Sequence, residues 1–179
     1  MKVIGIFRSA ILLMSVMVHS FAFSACISDD DPTETWSLPM GSKMPQFEVT
    51  LLDGTKVSTS SLEGKTAVIV LFNTSCPDCR AELPVVNEVQ QKIIDDQTVC
   101  FLCIARAEGA ESIEQFWKEH SLTLPVSPQP DRAVYSLFAE SVIPRIMLFS
   151  PSGHLCASYT DSPMPSAQSL LAAIRSAAE

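Results

Sequence analysis

"LFNTSCPDCRAELP", residues 71–84, sets two cysteines three positions apart directly behind an apolar run. The run itself, "TAVIVLFN" (Thr66 to Asn73), is continuous and rich in β-branched residues, the pattern of a strand buried on both faces of a sheet. Behind the cysteines, Leu83, Val86, Val89 and Ile93 recur at helical spacing from Pro77 to about Ile94. Pro77 suits a first helical turn, where its missing N–H costs nothing. The stretch therefore reads as strand end, turn and helix start. Cys76 and Cys79 then share one helix face. Unpaired N–H groups and the helix dipole favour negative charge at that end, and so favour a thiolate at Cys76. The thiolate is the attacking species in disulfide exchange. Cys79, deeper in the helix, is placed to close the ring and release a mixed disulfide.

A metal site and a structural staple compete with this reading. Zinc needs four ligands at their own spacing, and the three histidines, His19, His120 and His154, stand far apart. No metal ligand set is expected. A disulfide across so short a loop would stabilise little. Cys100 and Cys103, in the strand-like "TVCFLCIA", point to opposite faces of a strand and read as small buried residues. Cys156, in the last expected strand, reads the same way, although a bridge to Cys100 or Cys103 stays open because connectivity is not legible in sequence.

Outward from the cysteines the order of elements is clear. "QFEVTLLDGTKVSTSSLEGK" alternates around Asp53–Gly54, a hairpin signal. "TVCFLCIA" (Thr98 to Ala105) is a second buried strand. "GAESIEQFWKEHSL" is an amphipathic helix, with Ile113, Phe116 and Trp117 on one side. "LPVSPQPD" is extended, "RAVYSLFAE" a short helix, "RIMLFSPSGHLCASYT" two strands joined at Ser152–Gly153, and "SAQSLLAAIRSAAE" a closing helix. Strands alternating with helices indicate an α/β sandwich around a central sheet. Rossmann and P-loop glycine patterns are absent.

The chain of 179 residues carries a net charge of −8. Residues 1–25 hold Lys2 and Arg8 and no acid, so the remainder is more acidic still. No basic stripe for phosphates remains, which excludes nucleic acid as an expected partner. Residues 1–25 read as an export signal: a basic start, an apolar middle "AILLMSVMV" (Ala10 to Val18), then "FSAC" ending at Cys26. That ending resembles a bacterial lipobox, which implies lipid attachment at Cys26 and a membrane-tethered protein of the cell envelope, periplasmic or surface-displayed. Plain secretion, with Cys26 a bystander, is the other reading. Residues 26–43 are polar, acidic and proline-containing, as expected of a flexible tether. The domain is expected over 44–179.

Strand–"CPDC"–helix, Pro84 five residues after Cys79, Glu82 in "CRAELP", and "VIPRIMLF" (Val142 to Phe149) together resemble thioredoxin-fold thiol–disulfide oxidoreductases, more narrowly the TlpA/ResA-type extracytoplasmic redoxins. The resemblance spans roughly residues 44–178. It implies a thioredoxin-like three-layer sandwich with a mixed β-sheet, an N-terminal β-hairpin and an extra inserted βα segment. It implies a cis peptide before Pro144, with Ile143 and Pro144 facing the cysteine pair and binding a substrate strand. The partners it implies are a disulfide-containing exported protein and an upstream thiol electron donor; no cofactor is implied. The chain also departs from the pattern. Ser75 stands where an aromatic is usual, so Thr74 and Ser75 make the site more polar. Val70 stands at thioredoxin's buried acid, leaving Glu82 as the candidate proton-managing carboxylate, unless it is a surface helix residue. Asp78 places a negative charge beside the thiolate, which points to a reductant rather than a strong oxidant; Arg80 offsets part of that charge or is merely solvated.

Two other functions compete on the same residues. A peroxidase of the peroxiredoxin type needs Thr or Ser where Asn73 stands and Pro where Ile69 stands. A non-enzymatic surface lipoprotein, binding a partner through the Ile143–Pro144 groove, has the acidic run Ser28–Asp31 as its support.

Overall fold

The computed structural model describes residues 36–178. The expected export signal, Cys26 and the first part of the tether lie outside the described residues.

Five strands form the central sheet. β3 (Thr66–Phe72) is its middle strand, and every one of its residues is buried. Such a strand cannot alternate polar and apolar side chains, which is why it reads as a continuous apolar run. β4 (Val99–Ala105) pairs parallel to β3 along its whole length, from Thr66 opposite Val99 to Phe72 opposite Ala105. β5 (Val126–Ser127) adds a short parallel edge to β4. On the other side β6 (Arg145–Phe149) pairs antiparallel to β3, and β7 (Leu155–Tyr159) antiparallel to β6. The spatial order is β5-β4-β3-β6-β7. β1 (Glu48–Thr50) and β2 (Lys56–Ser58) form the separate antiparallel hairpin, turning at Gly54 with φ 84°, a conformation glycine adopts without strain.

α1 (Pro77–Lys92) connects β3 to β4, α2 (Ala110–Glu119) connects β4 to β5, and α3 (Ala167–Ala177) closes the chain. α1 packs on α3, and α3 reaches β3 and β6. α1 runs on through Pro84, which deprives it of the hydrogen bond that would reach the carbonyl of Arg80. Leu83, Val86 and Val89 bury its inner face. Phe47, Phe138 and Phe149 form a line of edge-on ring contacts. The hairpin side is tied to the β5 edge by Leu52 N–H to Val126 O at 3.0 Å and Ser127 hydroxyl to Thr50 O at 2.7 Å. The expected mixed sheet, N-terminal hairpin and inserted βα segment are all present.

Three local expectations change. Residues 36–43 are not tether: Leu38 N–H donates to Phe138 O, Gly41 N–H to Leu155 O and Met44 N–H to Gly153 O, each at 2.8 Å. Backbone pairing draws a polar-looking segment onto the domain. "RAVYSLFAE" forms only one 3-10 turn, Tyr135–Leu137, with Tyr135 and Phe138 pulled into the core. Cys156 is exposed rather than buried. In the β6–β7 ladder Leu148 faces Ala157 while Phe149 faces Leu155, so Cys156 is the extra residue of a bulge, and a bulge breaks the inward–outward alternation.

Candidate active site

The turn between β3 and α1 is built by Asn73. Its Oδ1 accepts the Ser75 N–H at 2.8 Å and the Ser75 hydroxyl at 2.6 Å, and its carbonyl accepts the Cys76 N–H at 3.1 Å. An Asx side chain of this kind replaces backbone partners in a tight turn. Cys76 becomes the N-cap of α1: its Sγ accepts the Cys79 N–H at 3.4 Å. A thiol thus does what a Ser or Asp oxygen does at most helix starts. Pro77 follows at the first helical position, and Asp78 lies exposed in the first turn.

Cys76 is half-buried and Cys79 fully buried. Both are free thiols. Burial pushes the Cys79 thiol far up from its ordinary range, the Asn73 backbone contact and the Arg106 charge opposing that in part. Cys76 and Cys79 are therefore unequal by access as well as by place in the helix.

The Ile143–Pro144 peptide is cis, as the resemblance implies. Both residues are buried. The Cys76 thiol donates to the Ile143 carbonyl oxygen at 3.6 Å, so the cysteine turn and the proline loop meet directly. Val142, just before, holds φ 66°, uncommon for a β-branched residue, and its carbonyl accepts the buried Tyr135 hydroxyl at 3.1 Å.

Glu82 is not a surface residue. It is 3 % exposed, on the core side of α1, and among the described residues no partner reaches its buried Oε1. Burial alone raises its carboxyl from 4.5 to about 7, because a charged carboxylate loses water there. Cys79 and Glu82 stand three apart on one helix, where side chains are neighbours. Val70, at the expected place of a buried acid, is wholly buried between Cys103 and Ile146 on the flanking strands.

Arg80 is neither simply solvated nor shown beside Asp78. Its Nη1 donates to Thr74 O at 3.3 Å, and its guanidinium lies 4.8 Å from the Phe116 ring centroid. The expected polar pair also divides: Ser75 is exposed, but Thr74 is buried. Thr74 is held by a residue that sequence reasoning missed. Glu108, beyond β4, accepts the Thr74 N–H at 2.7 Å, and its other oxygen accepts the Thr74 hydroxyl. No local pattern around Glu108 signals this contact, because it joins residues 34 positions apart.

The other cysteines stand apart from this site. Cys103 is wholly buried and its thiol pushed far up. Cys100 is half-buried and pushed up to about 11, again by burial. Cys156 donates to Leu148 O at 3.1 Å. Among the described residues no three potential ligands cluster for a metal, and no helix is long and apolar enough to cross a membrane.

A turn that offers one accessible thiol, one buried thiol on the same helix face and a facing carbonyl is built for disulfide exchange. The redoxin family model matches residues 39–158. The chain belongs to the redoxin family. This redoxin is 28% identical to thiol-disulfide oxidoreductase ResA of Oceanobacillus iheyensis over 155 residues, covering 84% of this chain and 78% of that protein. It is 27% identical to ResA of Geobacillus kaustophilus, covering 84% and 83%. In fold it is similar to a thiol:disulfide interchange protein of Chlorobium tepidum, with TM-score 0.66, 23% identity, and 79% of this chain and 99% of that one covered. The thioredoxin domain of a thiol-disulfide oxidoreductase from Bacteroides vulgatus aligns at TM-score 0.67 with 20% identity, covering 78% and 98%. The redoxin is a thiol–disulfide oxidoreductase.

Proposed function

We propose that this thiol–disulfide oxidoreductase works outside the cytoplasm, tethered by lipid on Cys26, and reduces disulfides in exported proteins. The observation that carries the reading is the position of Cys76: half-buried, capping α1, and 3.6 Å from the Ile143 carbonyl. A substrate segment laid along Ile143–Pro144 would bring its disulfide to that sulfur. The Cys76 thiolate attacks one substrate sulfur; the substrate S–S bond breaks, and the other sulfur leaves with the electron pair and takes up a proton. Cys79 then loses its proton, attacks the Cys76 sulfur and releases the second substrate thiol. The enzyme ends as the Cys76–Cys79 disulfide, and an upstream dithiol donor restores it.

Glu82 is the group we assign to the Cys79 proton. A carboxyl near 7 exchanges protons readily at neutral pH. Asp78, exposed in the first turn, adds negative charge near the pair, which supports the reducing direction. Export is supported by the basic start, apolar run and "FSAC" of residues 1–26.

Reduction of insulin by the dithiol form, measured by turbidity, tests the activity. The wild type should turn over and Cys76→Ser should not; equal rates would end the proposal. A redox equilibrium with glutathione tests direction: a pair that stays largely reduced at a strongly oxidising poise would contradict a reductant. Metabolic labelling with palmitate, lost in Cys26→Ala, tests the tether.

A further inference from the structure

Three successive carbonyls before Pro144 each face a different partner. The Ser141 carbonyl accepts from the Arg145 guanidinium at 3.4 Å. The Val142 carbonyl accepts the Tyr135 hydroxyl at 3.1 Å. The Ile143 carbonyl accepts the Cys76 thiol at 3.6 Å. Tyr135 opens the 3-10 turn Tyr135–Leu137 and is 1 % exposed, so its hydroxyl acts from a fixed place in the core. Val142 holds φ 66°, a left-handed conformation that a β-branched residue keeps only where its surroundings impose it. The Val142–Ile143 peptide unit is planar, so a hydroxyl that fixes the Val142 carbonyl also fixes the direction of the Ile143 N–H.

We infer that Tyr135 is a positioning residue for substrate docking: its hydroxyl holds Val142 in the left-handed conformation and so keeps the backbone of Ile143 presented beside Cys76 before a substrate arrives. This deepens the proposed function and rests on a substrate strand docking along Ile143–Pro144. The class of ligand is an extended polypeptide carrying a disulfide, because main-chain groups of a loop recognise the main chain of a strand. Without the hydroxyl, rotation of the same peptide unit relieves Val142, and the docking-competent loop becomes one conformation among several. Apparent affinity for a strand then falls with the fraction of the loop that remains competent. A small aromatic disulfide has no strand to lay on the loop and is indifferent to that fraction.

The experiment compares Tyr135→Phe with the wild type in two reactions: reduction of insulin with dithiothreitol as donor, and stopped-flow reaction of the reduced protein with 5,5′-dithiobis(2-nitrobenzoate). A Cys156→Ser background silences the exposed thiol in both. Phenylalanine keeps the ring, its packing and its place 5.4 Å from the Arg106 guanidinium. Tyr135→Phe should raise KM for insulin about fivefold or more, while kcat and the fast phase with the small disulfide change by less than about twofold. Glycine holds a positive φ without strain, so in a Val142→Gly background the same substitution should raise KM by less than about twofold. An unchanged insulin KM in folded Tyr135→Phe, equal slowing toward insulin and the small disulfide, an undiminished effect in the Val142→Gly background, or a Tyr135→Phe protein that thermal melts find unfolded overturns the inference. A wild type that reduces insulin no faster than Cys76→Ser instead overturns the proposed function, and the inference with it.

Discussion

The thiol of Cys76 donates to the carbonyl oxygen of Ile143 at 3.6 Å. These residues are 67 positions apart in the chain, and their contact makes one site of two loops. Under the proposed function a docked substrate strand would use the same carbonyl that receives the thiol, so docking would free the sulfur.

Replacement of either cysteine should separate the two chemical steps. Cys79→Ser should accumulate mixed disulfides with substrate proteins, because nothing remains to release them. Cys76→Ser should accumulate none. The check is non-reducing electrophoresis followed by mass spectrometry of the trapped species. Equal trapping by both variants would overturn the assigned roles, and trapping by Cys76→Ser alone would reverse them.

Glu82 should make the fold weaker at high pH. Its carboxyl is near 7 when folded, against 4.5 ordinarily, so the folded chain binds the proton more tightly. Below about pH 4.5 both states are protonated and the group costs nothing; between about 4.5 and 7 stability falls as pH rises; above 7 the full cost is present. Glu82→Gln removes that slope. Denaturant titrations should find the variant more stable at pH 8 by about 1–3 kcal/mol and nearly level with wild type at pH 4.5. A gap that does not change with pH would contradict the buried, unpaired carboxyl.

Glu108→Ala should loosen the cysteine turn. It strands the Thr74 N–H and hydroxyl, both satisfied by that carboxylate. Leaving such groups buried without partners costs about 1–3 kcal/mol. Hydrogen exchange should find the Thr74 amide losing protection, while amides of β3 keep theirs. Unchanged protection at Thr74 would mean that another group holds the loop.

Alkylation of the reduced, folded protein should discriminate among the thiols. Cys76 and Cys156 should react first, Cys100 later, and Cys79 and Cys103 last, the buried pair slower by on the order of a hundredfold because local opening must precede reaction. Peptide mapping after iodoacetamide pulses reads the order. Early labelling of Cys103 would contradict its place in the sheet.

Much of this architecture is legible in the sequence where local pattern and tertiary environment agree. "TAVIVLFN" is apolar throughout because its strand has neighbours on both edges and cover on both faces. "SCPDC" reads as a helix start because proline and a capping side chain belong there. The exposure of Cys156 is not legible in the sequence, because it sits at a bulge in β7 and bulges leave no periodic trace. Residues 36–43 read as tether because their composition is that of a linker, while their backbone N–H groups find partners in segments a hundred or more residues away.

The sequence by itself determined the pair of cysteines, the strand and helix that carry them, and the mixed α/β class, since all of these rest on spacing between near neighbours in the chain. Only the tertiary structure decided which charges act on the pair. Glu82 is buried because of the face of α1 it occupies. Glu108 grips Thr74, and the backbone of Arg106 bonds to Phe72 and Asn73, because β4 runs parallel to β3 and delivers its end to the same rim. Such placements depend on long-range pairing, and no local pattern encodes them.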